Sequence, residues 1–458
     1  MGGIPPEIFK AYDIRGIVGK TLTPELVERI GRAVASEARA RGRDEIVIGR
    51  DGRLSGPALS AALAAGIQAS GGQVIDLGRV TTPMAYFAAH HLGTGCAVML
   101  TGSHNPPDYN GLKIVIAGVT LSGEAIQDLR RRIESDDFST GAGDYRQHDI
   151  AAEYIARITS DVKLARPMSI VLDAGNGVAG AYAPDLFRAL GCAVDPLFCD
   201  VDGHFPHHHP DPSVPENLAD LIDRLRQGNA EIGLAFDGDG DRLGVVTREG
   251  DIIYPDRQLM LFAADVLSRH PGAMVIYDVK STRNLRQWIT RHGGQPLIWK
   301  TGHSLMKAKM RETGALVAGE MSGHIFFQER WYGFDDGLYA GARLLEYLSK
   351  QADLDATLRA LPDSVNTPEL HLGLDEGEPH RLLERLKTEA RFEGAREIID
   401  LDGLRVEYDD GFGLIRASNT TPVISLRFEA DDAAALARIQ AQFRHLLRTV
   451  APTARLPF

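Results

Sequence analysis

One pattern occurs three times in this chain and limits the folds open to it. Glu45-Ile46-Val47-Ile48-Gly49 reads as a strand. The polar loop Arg50-Asp51-Gly52-Arg53 follows, then a helical stretch from about Pro57 to Ala69, a stop at Gly71-Gly72 and a second strand from Gln73. Ser169-Ile170-Val171-Leu172 runs in the same way into Asp173-Ala174-Gly175-Asn176-Gly177, a helix, and Gly191-Cys192-Ala193-Val194. Met274-Val275-Ile276-Tyr277 runs into Asp278-Val279-Lys280-Ser281, a helix, and Gly293-Gly294-Gln295. Strand, Asp-bearing loop, helix, glycine stop and strand make a βαβ unit, which pairs its strands in parallel through a right-handed crossover.

Each unit is followed by a short apolar strand that ends in a distinctive loop. Ala97-Val98-Met99-Leu100 leads to Thr101-Gly102-Ser103-His104-Asn105-Pro106, and Ile232-Gly233-Leu234-Ala235-Phe236 leads to Asp237-Gly238-Asp239-Gly240-Asp241-Arg242. Ala315-Leu316-Val317-Ala318 leads to Gly319-Glu320-Met321-Ser322-Gly323-His324. Three copies of one unit place these loops at equivalent positions, where they can converge on a single cleft. Beyond a linker-like stretch, Pro362 to Pro368, the order changes to strand, helix, strands, helix. That order predicts an α+β module with a mostly antiparallel sheet. The expected fold class is therefore three related α/β domains, with mixed sheets built on βαβ units, and a C-terminal α+β domain. The expected divisions are 1–150, 151–252, 253–364 and 365–458.

The loops differ in chemistry. Ser103 presents a hydroxyl at a strand end beside an imidazole. Asp237, Asp239 and Asp241 alternate with glycines, so three hard oxygen ligands can face one divalent cation. A calcium EF-hand is excluded, because its sixth position needs Gly and its twelfth Glu, where this chain has Arg242 and Arg248. Arg416-Ala417-Ser418-Asn419-Thr420-Thr421-Pro422 offers a guanidinium, hydroxyls and an amide, an inventory that suits a phosphate. Glu320, Ser322 and His324 suit sugar hydroxyls without specifying them. The run Gly203-His204-Phe205-Pro206-His207-His208-His209-Pro210 has imidazoles but lacks metal-ligand spacing, and is expected to be structural.

The 458 residues carry a net charge of −12, which argues against a nucleic-acid surface and requires any anionic ligand to be held by local cations. No apolar run reaches the ~20 residues of a membrane span. Three cysteines without a CxxC pair, and no signal-peptide pattern, lead to the expectation of a reduced, cytoplasmic protein.

Taken in order, AYDIRG (Ala11–Gly16), TGSHNP, DGDGDR, GEMSGH and RASNTTP resemble the α-D-phosphohexomutase superfamily, and within it the bacterial phosphomannomutase/phosphoglucomutase group. The likeness covers essentially the whole chain, with none of the family's motifs missing. It implies a heart-shaped, four-domain enzyme that interconverts hexose 1-phosphate and 6-phosphate, of mannose and glucose, through a phosphoserine and a 1,6-bisphosphate intermediate. It implies that Ser103 is phosphorylated and that Ser103, Asp237, Asp239 and Asp241 hold Mg²⁺. It implies that Glu320, Ser322 and His324 bind the sugar and that Arg416, Ser418, Asn419 and Thr420 hold the non-reacting phosphate. Tyr12, Arg15, His104, Lys113, Arg242, Lys280 and His303 match positions lining the family's cleft. Lys113, His104 and Arg15 are all candidates for the general base. The expected partners are phosphosugars, without nucleic acid or membrane, and the expected state is a monomer. The alternatives are a glucosamine phosphate mutase, a non-catalytic phosphosugar-binding protein and a Mg²⁺-dependent phosphatase.

Overall fold

The computed structural model describes residues 4–375, 377–418, 422–452 and 455–458. The predicted repetition is present in the strand pairing. Glu45–Arg50 lies between Gln73–Arg79 and Ala97–Leu100, parallel to both, and Ala97–Leu100 turns back antiparallel into Tyr109–Ile116. Ser169–Asp173 pairs parallel with Ala193–Leu197 and Ile232–Phe236, and the latter pairs antiparallel with Leu243–Thr247. Met274–Asp278 does the same with Gln295–Trp299 and Val317–Gly319, and the latter turns into Ile325–Phe327. In every copy the distinctive loop therefore joins the third, parallel strand to an antiparallel fourth. The helix stops are equivalent too. Gly71, Gly191 and Gly293 have φ of 79°, 95° and 79°, a region open to glycine at little cost.

The three sheets share one apolar core. It runs from Phe87 on helix Thr82–His91, through Tyr154 on helix Ala151–Asp161 and Phe187, to Phe262 on helix Pro255–Arg269 and Leu338 on helix Gly337–Leu348. A shared core fixes the three loops relative to one another.

The tail builds its own core, with Leu382, Leu386, Ile439, Phe443 and Leu447 of two helices packed on the sheet. All strand pairs described in that sheet are antiparallel. The stretch 362–368 differs from the expected free linker. Val365–Asn366 pairs with Val423–Ala430, and the Thr367 N–H bonds the Phe428 carbonyl at 2.9 Å. Backbone groups next to a sheet edge gain partners by joining it. The tail meets the third unit through a small apolar contact of Val279, Phe412 and Leu414. Around that contact the interface is polar. Arg405 donates to the carbonyls of Val279 and Ser281 at 2.7 and 2.6 Å, and Arg427 donates to that of Lys280 at 2.7 Å. Small polar interfaces of this kind permit relative domain motion.

One buried pair in the shared core is sensitive to pH. The Tyr154 hydroxyl donates to both Asp336 carboxylate oxygens, at 2.8 and 2.9 Å, and Asp336 caps helix Gly337–Leu348. Burial raises the Asp336 carboxyl to about 7. A folded-state value above the unfolded one favours folding at low pH, and this contribution is lost as pH rises through 7. Tyr154→Phe removes the donor that stabilises the ionised form. It is expected to cost about 2 kcal/mol at pH 8.5 and clearly less at pH 5.5, measured by urea denaturation at both values. Equal losses at the two pH values would contradict the assignment.

Candidate active site

The loop 101–106 owes its shape to a residue outside it. The Arg53 guanidinium, fully buried, donates to four carbonyls of this turn: Ser103 at 3.0, Asn105 at 2.6, Pro106 at 2.5 and Tyr109 at 2.9 Å. Asp51 completes the anchor. Its carboxylate accepts from Arg53 Nε at 3.2 Å and from the Gly102 N–H at 3.1 Å. A Cβ on Gly102 would lie 2.3 Å from the Arg53 guanidinium carbon, so only glycine fits between them. Ser103 is thereby held at φ 49°, a left-handed conformation uncommon for a residue with a side chain. The third copy repeats the device: Asp278 accepts from the Met321 N–H at 3.2 Å.

A second buttress comes from the histidine run. His209 Nε2 donates to the His104 carbonyl, and the Phe205 ring lies 5.5 Å from the Arg53 guanidinium. His208 pairs with Asp173 at 3.0 Å and His207 with Asn176 at 2.8 Å. These imidazoles serve as struts, in line with the structural role expected for the run.

Held in this way, the Ser103 hydroxyl lies 3.1 Å from both Asp237 Oδ2 and His104 Nδ1. The two loops approach so closely that a Cβ on Gly238 would sit 2.4 Å from the Ser103 carbonyl oxygen. Asp237, Asp239 and Asp241 are all fully buried and offer oxygens within 4.8 Å of one another. Burial and the two neighbouring carboxylates push Asp237 well above the usual range. Lys113 bonds Asp239 at 2.7 Å and Asp241 at 2.5 Å. Burial opposes the Lys113 charge, yet these two carboxylates raise its pKa well above the ordinary lysine value. A lysine in that state is a counter-charge and not a free base.

Asp239 Oδ1 and Asp241 Oδ1 are buried and accept no hydrogen bond, although His324 Nδ1 lies 3.6 Å from the latter. Orphaned carboxylate oxygens facing a common point fit a hard divalent cation. A second trio, Asp241, His324 and Asp335, is equally compact. There Lys307 Nζ already holds Asp335 at 2.9 Å and His324 Nδ1 lies 3.0 Å from it, so its charge is balanced within the protein.

The remaining expected residues gather around this centre, in a cleft of about 590 Å³ lined by Tyr12, Arg15, Lys280, His303, Ser322 and Arg416, among others. Arg15 bonds Asn105 and Asp13. The Tyr12 hydroxyl donates to the Thr301 carbonyl at 2.9 Å. Glu320 accepts from the Gly302 N–H and the Ser322 hydroxyl, each at 3.0 Å, and burial raises its carboxyl. Arg242 donates through Nε to His324 Nε2 at 3.1 Å. Burial, Arg242 and Arg15 hold the His104 imidazole well below its ordinary pKa, and burial and Lys307 do the same to His303. Ser418 also lines the cleft, whereas Asn419 and Thr420 lie outside the described residues.

Sequence reasoning did not assign roles to Asp51, Arg53, Asp335, Lys307 or Glu369. Asp51 and Arg53 carried a signal, since they occupy the Asp-bearing loop of the first copy. The others have no local pattern. Asp239→Asn is expected to weaken divalent-cation binding at least ~10-fold, measured by isothermal titration calorimetry. Unchanged affinity would remove the triad as the metal site.

Family models for the phosphoglucomutase/phosphomannomutase α/β/α domains I, II and III match residues 6–140, 152–250 and 254–365, and that for the C-terminal domain matches 371–446. The chain is 59% identical to a phosphoglucomutase of Neisseria gonorrhoeae over 452 residues, 98% of each chain. It is 56% identical to a phosphomannomutase/phosphoglucomutase of Pseudomonas aeruginosa PAO1 over 456 residues, 99% of this chain and 98% of that one. The crystal structure of a phosphoglucomutase/phosphomannomutase family protein from Burkholderia thailandensis superposes with a TM-score of 0.95 at 59% identity, covering 100% of both chains. With four domain models matched in order and full-length relatives at this identity, the chain belongs to the phosphoglucomutase/phosphomannomutase family.

Proposed function

We propose that this enzyme interconverts the 1- and 6-phosphates of mannose and glucose, with Ser103 as the resident phosphoryl carrier. The observation that carries the proposal is the Ser103 hydroxyl 3.1 Å from Asp237, where the first two loops meet beside the cleft. Asp237, Asp239 and Asp241 would hold Mg²⁺ together with the Ser103 oxygen. Mg²⁺ supplies charge neutralisation on the phosphoryl oxygens and polarises them.

The chain's own residues do the remainder. Arg242, 3.8 Å from Asp237, and Arg15 face the space beside Ser103 and can hold equatorial phosphoryl oxygens. Glu320, Ser322 and His324 would read the sugar hydroxyls. Arg416 and Ser418, with Asn419 and Thr420, would hold the distal phosphate. Phosphoserine 103 gives its phosphoryl group to the free hydroxyl of the hexose monophosphate. The resulting 1,6-bisphosphate turns over in the cleft, and the other phosphoryl group returns to Ser103. The hydroxyl proton passes to a base. His104, neutral and 3.1 Å from the Ser103 oxygen, is favoured by its protonation state over Lys113, which is paired with two carboxylates.

A two-way reaction of this kind needs a fixed phosphate clamp and one reactive centre, and the single cleft offers both. A phosphatase would leave the distal clamp without a task. The three cysteines are all free thiols, which suits the reducing cytoplasm. Among the described residues, no helix is long and apolar enough to cross a membrane. We take the working unit to be a monomer, since the cleft is assembled from one chain.

Ser103→Ala is expected to lower kcat on glucose 1-phosphate by ~10⁴-fold or more while hexose phosphate binding persists. Turnover measured without added bisphosphate at near wild-type rate would refute the carrier role. Arg53→Lys keeps the charge but loses the planar fork, so the Ser103 turn loosens. It is expected to lower kcat by ~10²-fold with little change in KM. Steady-state kinetics check this, and a change confined to KM would count against it.

A further inference from the structure

Two cations that line the cleft, Lys280 and Arg416, are already paired with carboxylates of the same chain. Lys280 Nζ donates to Glu369 Oε2 at 2.9 Å, and Arg416 Nε donates to Asp402 Oδ2 at 2.8 Å. The two carboxylates differ in how they are held. Asp402 also accepts from the Thr301 N–H at 3.0 Å, which fixes it to the third unit's loop as a permanent strut. Glu369 follows Pro368 at the entry to the tail domain, and lines the cleft with Lys280, His371, Arg416 and Ser425. Its side chain retains 29% exposure, so water reaches it without the domains separating.

We propose that Glu369 is a resident anion that occupies the phosphate-binding region of the cleft in the ligand-free protein and is displaced when a phosphoryl group enters. This rests on the reading that Arg416 holds the distal phosphate, and extends that role to Lys280, which lines the same cleft. Lys280 is almost fully buried, and an unpaired cation there would carry a desolvation cost. Glu369 removes that cost while the cleft is empty. Burial opposes its charge, but Lys280, with help from the Ser425 hydroxyl, draws its carboxyl down to about 2, so the Glu369 carboxylate is ionised at neutral pH.

The Lys280–Glu369 pair also ties the third unit to the start of the tail. Exchange of Glu369 for phosphate releases that tie when ligand arrives, and its return on ligand departure competes with the bound phosphate. The carboxylate therefore weakens phosphate binding and keeps a 1,6-bisphosphate from being held too tightly to reorient. It also discriminates against inorganic phosphate and sulfate, which lack the sugar contacts needed to offset its removal.

The test uses the full chain and inorganic phosphate as the probe. Glu369→Gln keeps the shape and removes the charge, and a thermal melt confirms folding. Titration calorimetry at fixed ionic strength is expected to give a phosphate Kd roughly fivefold lower than wild type, and the KM for glucose 1-phosphate should fall in parallel. Glu369→Ala should shift both in the same direction. Unchanged or weaker phosphate binding in both variants would overturn the proposal. Tighter phosphate binding in a protein without mutase turnover would leave the displaced carboxylate standing and remove the mutase reading instead.

Discussion

A serine hydroxyl 3.1 Å from a buried aspartate sets the electrostatic problem that the rest of the site must solve. A phosphoryl group on that oxygen adds about −1.5 to −2 charge, next to Asp237, Asp239 and Asp241. Lys113, Arg242 and Arg15, the last already paired with Asp13, are the nearby cations and do not balance that total. A divalent ion held by the aspartate oxygens would complete the balance and turn an unfavourable crowd of anions into an ordered phosphoryl site. The approach of the two loops has a backbone cause in Gly238, and the turn that carries Ser103 has one in Arg53 and Gly102. Chemistry here depends on the packing of residues that do not themselves react.

The same principle recurs on a larger scale. One apolar core joins the first three units, so the loops that carry Ser103, the three aspartates and Glu320 form a rigid set. The tail has its own core and a polar seam, so Arg416, proposed to hold the distal phosphate, sits on the part best able to move. Rigidity lies where bonds are made and broken, and mobility where a ligand must enter, turn and leave.

Much of this was legible in the sequence because its cause is local. The βαβ copies, the glycine stops and the three loops follow from periodicity and turn chemistry, and the structure places Ser103, Asp237, Asp239 and Asp241 together. The partners of those residues were not legible. Lys113 reads as a free candidate base until Asp239 and Asp241, more than a hundred residues away, are seen on either side of it. Arg53 is one arginine in a polar loop until its four carbonyl partners are known. Glu369 gives no signal because its partner, Lys280, belongs to another domain. The stretch 362–368 reads as a linker from its prolines, yet two of its residues extend a sheet that composition alone does not reveal.

The most direct measurement follows the phosphoryl group itself. Protein labelled with radioactive phosphate at Ser103, located by peptide mapping, is mixed with unlabelled glucose 1-phosphate and Mg²⁺ and quenched within the first turnovers. The account predicts that label leaves the protein and appears in hexose bisphosphate and then hexose 6-phosphate. Label that stays on the protein, or leaves as inorganic phosphate, would contradict it.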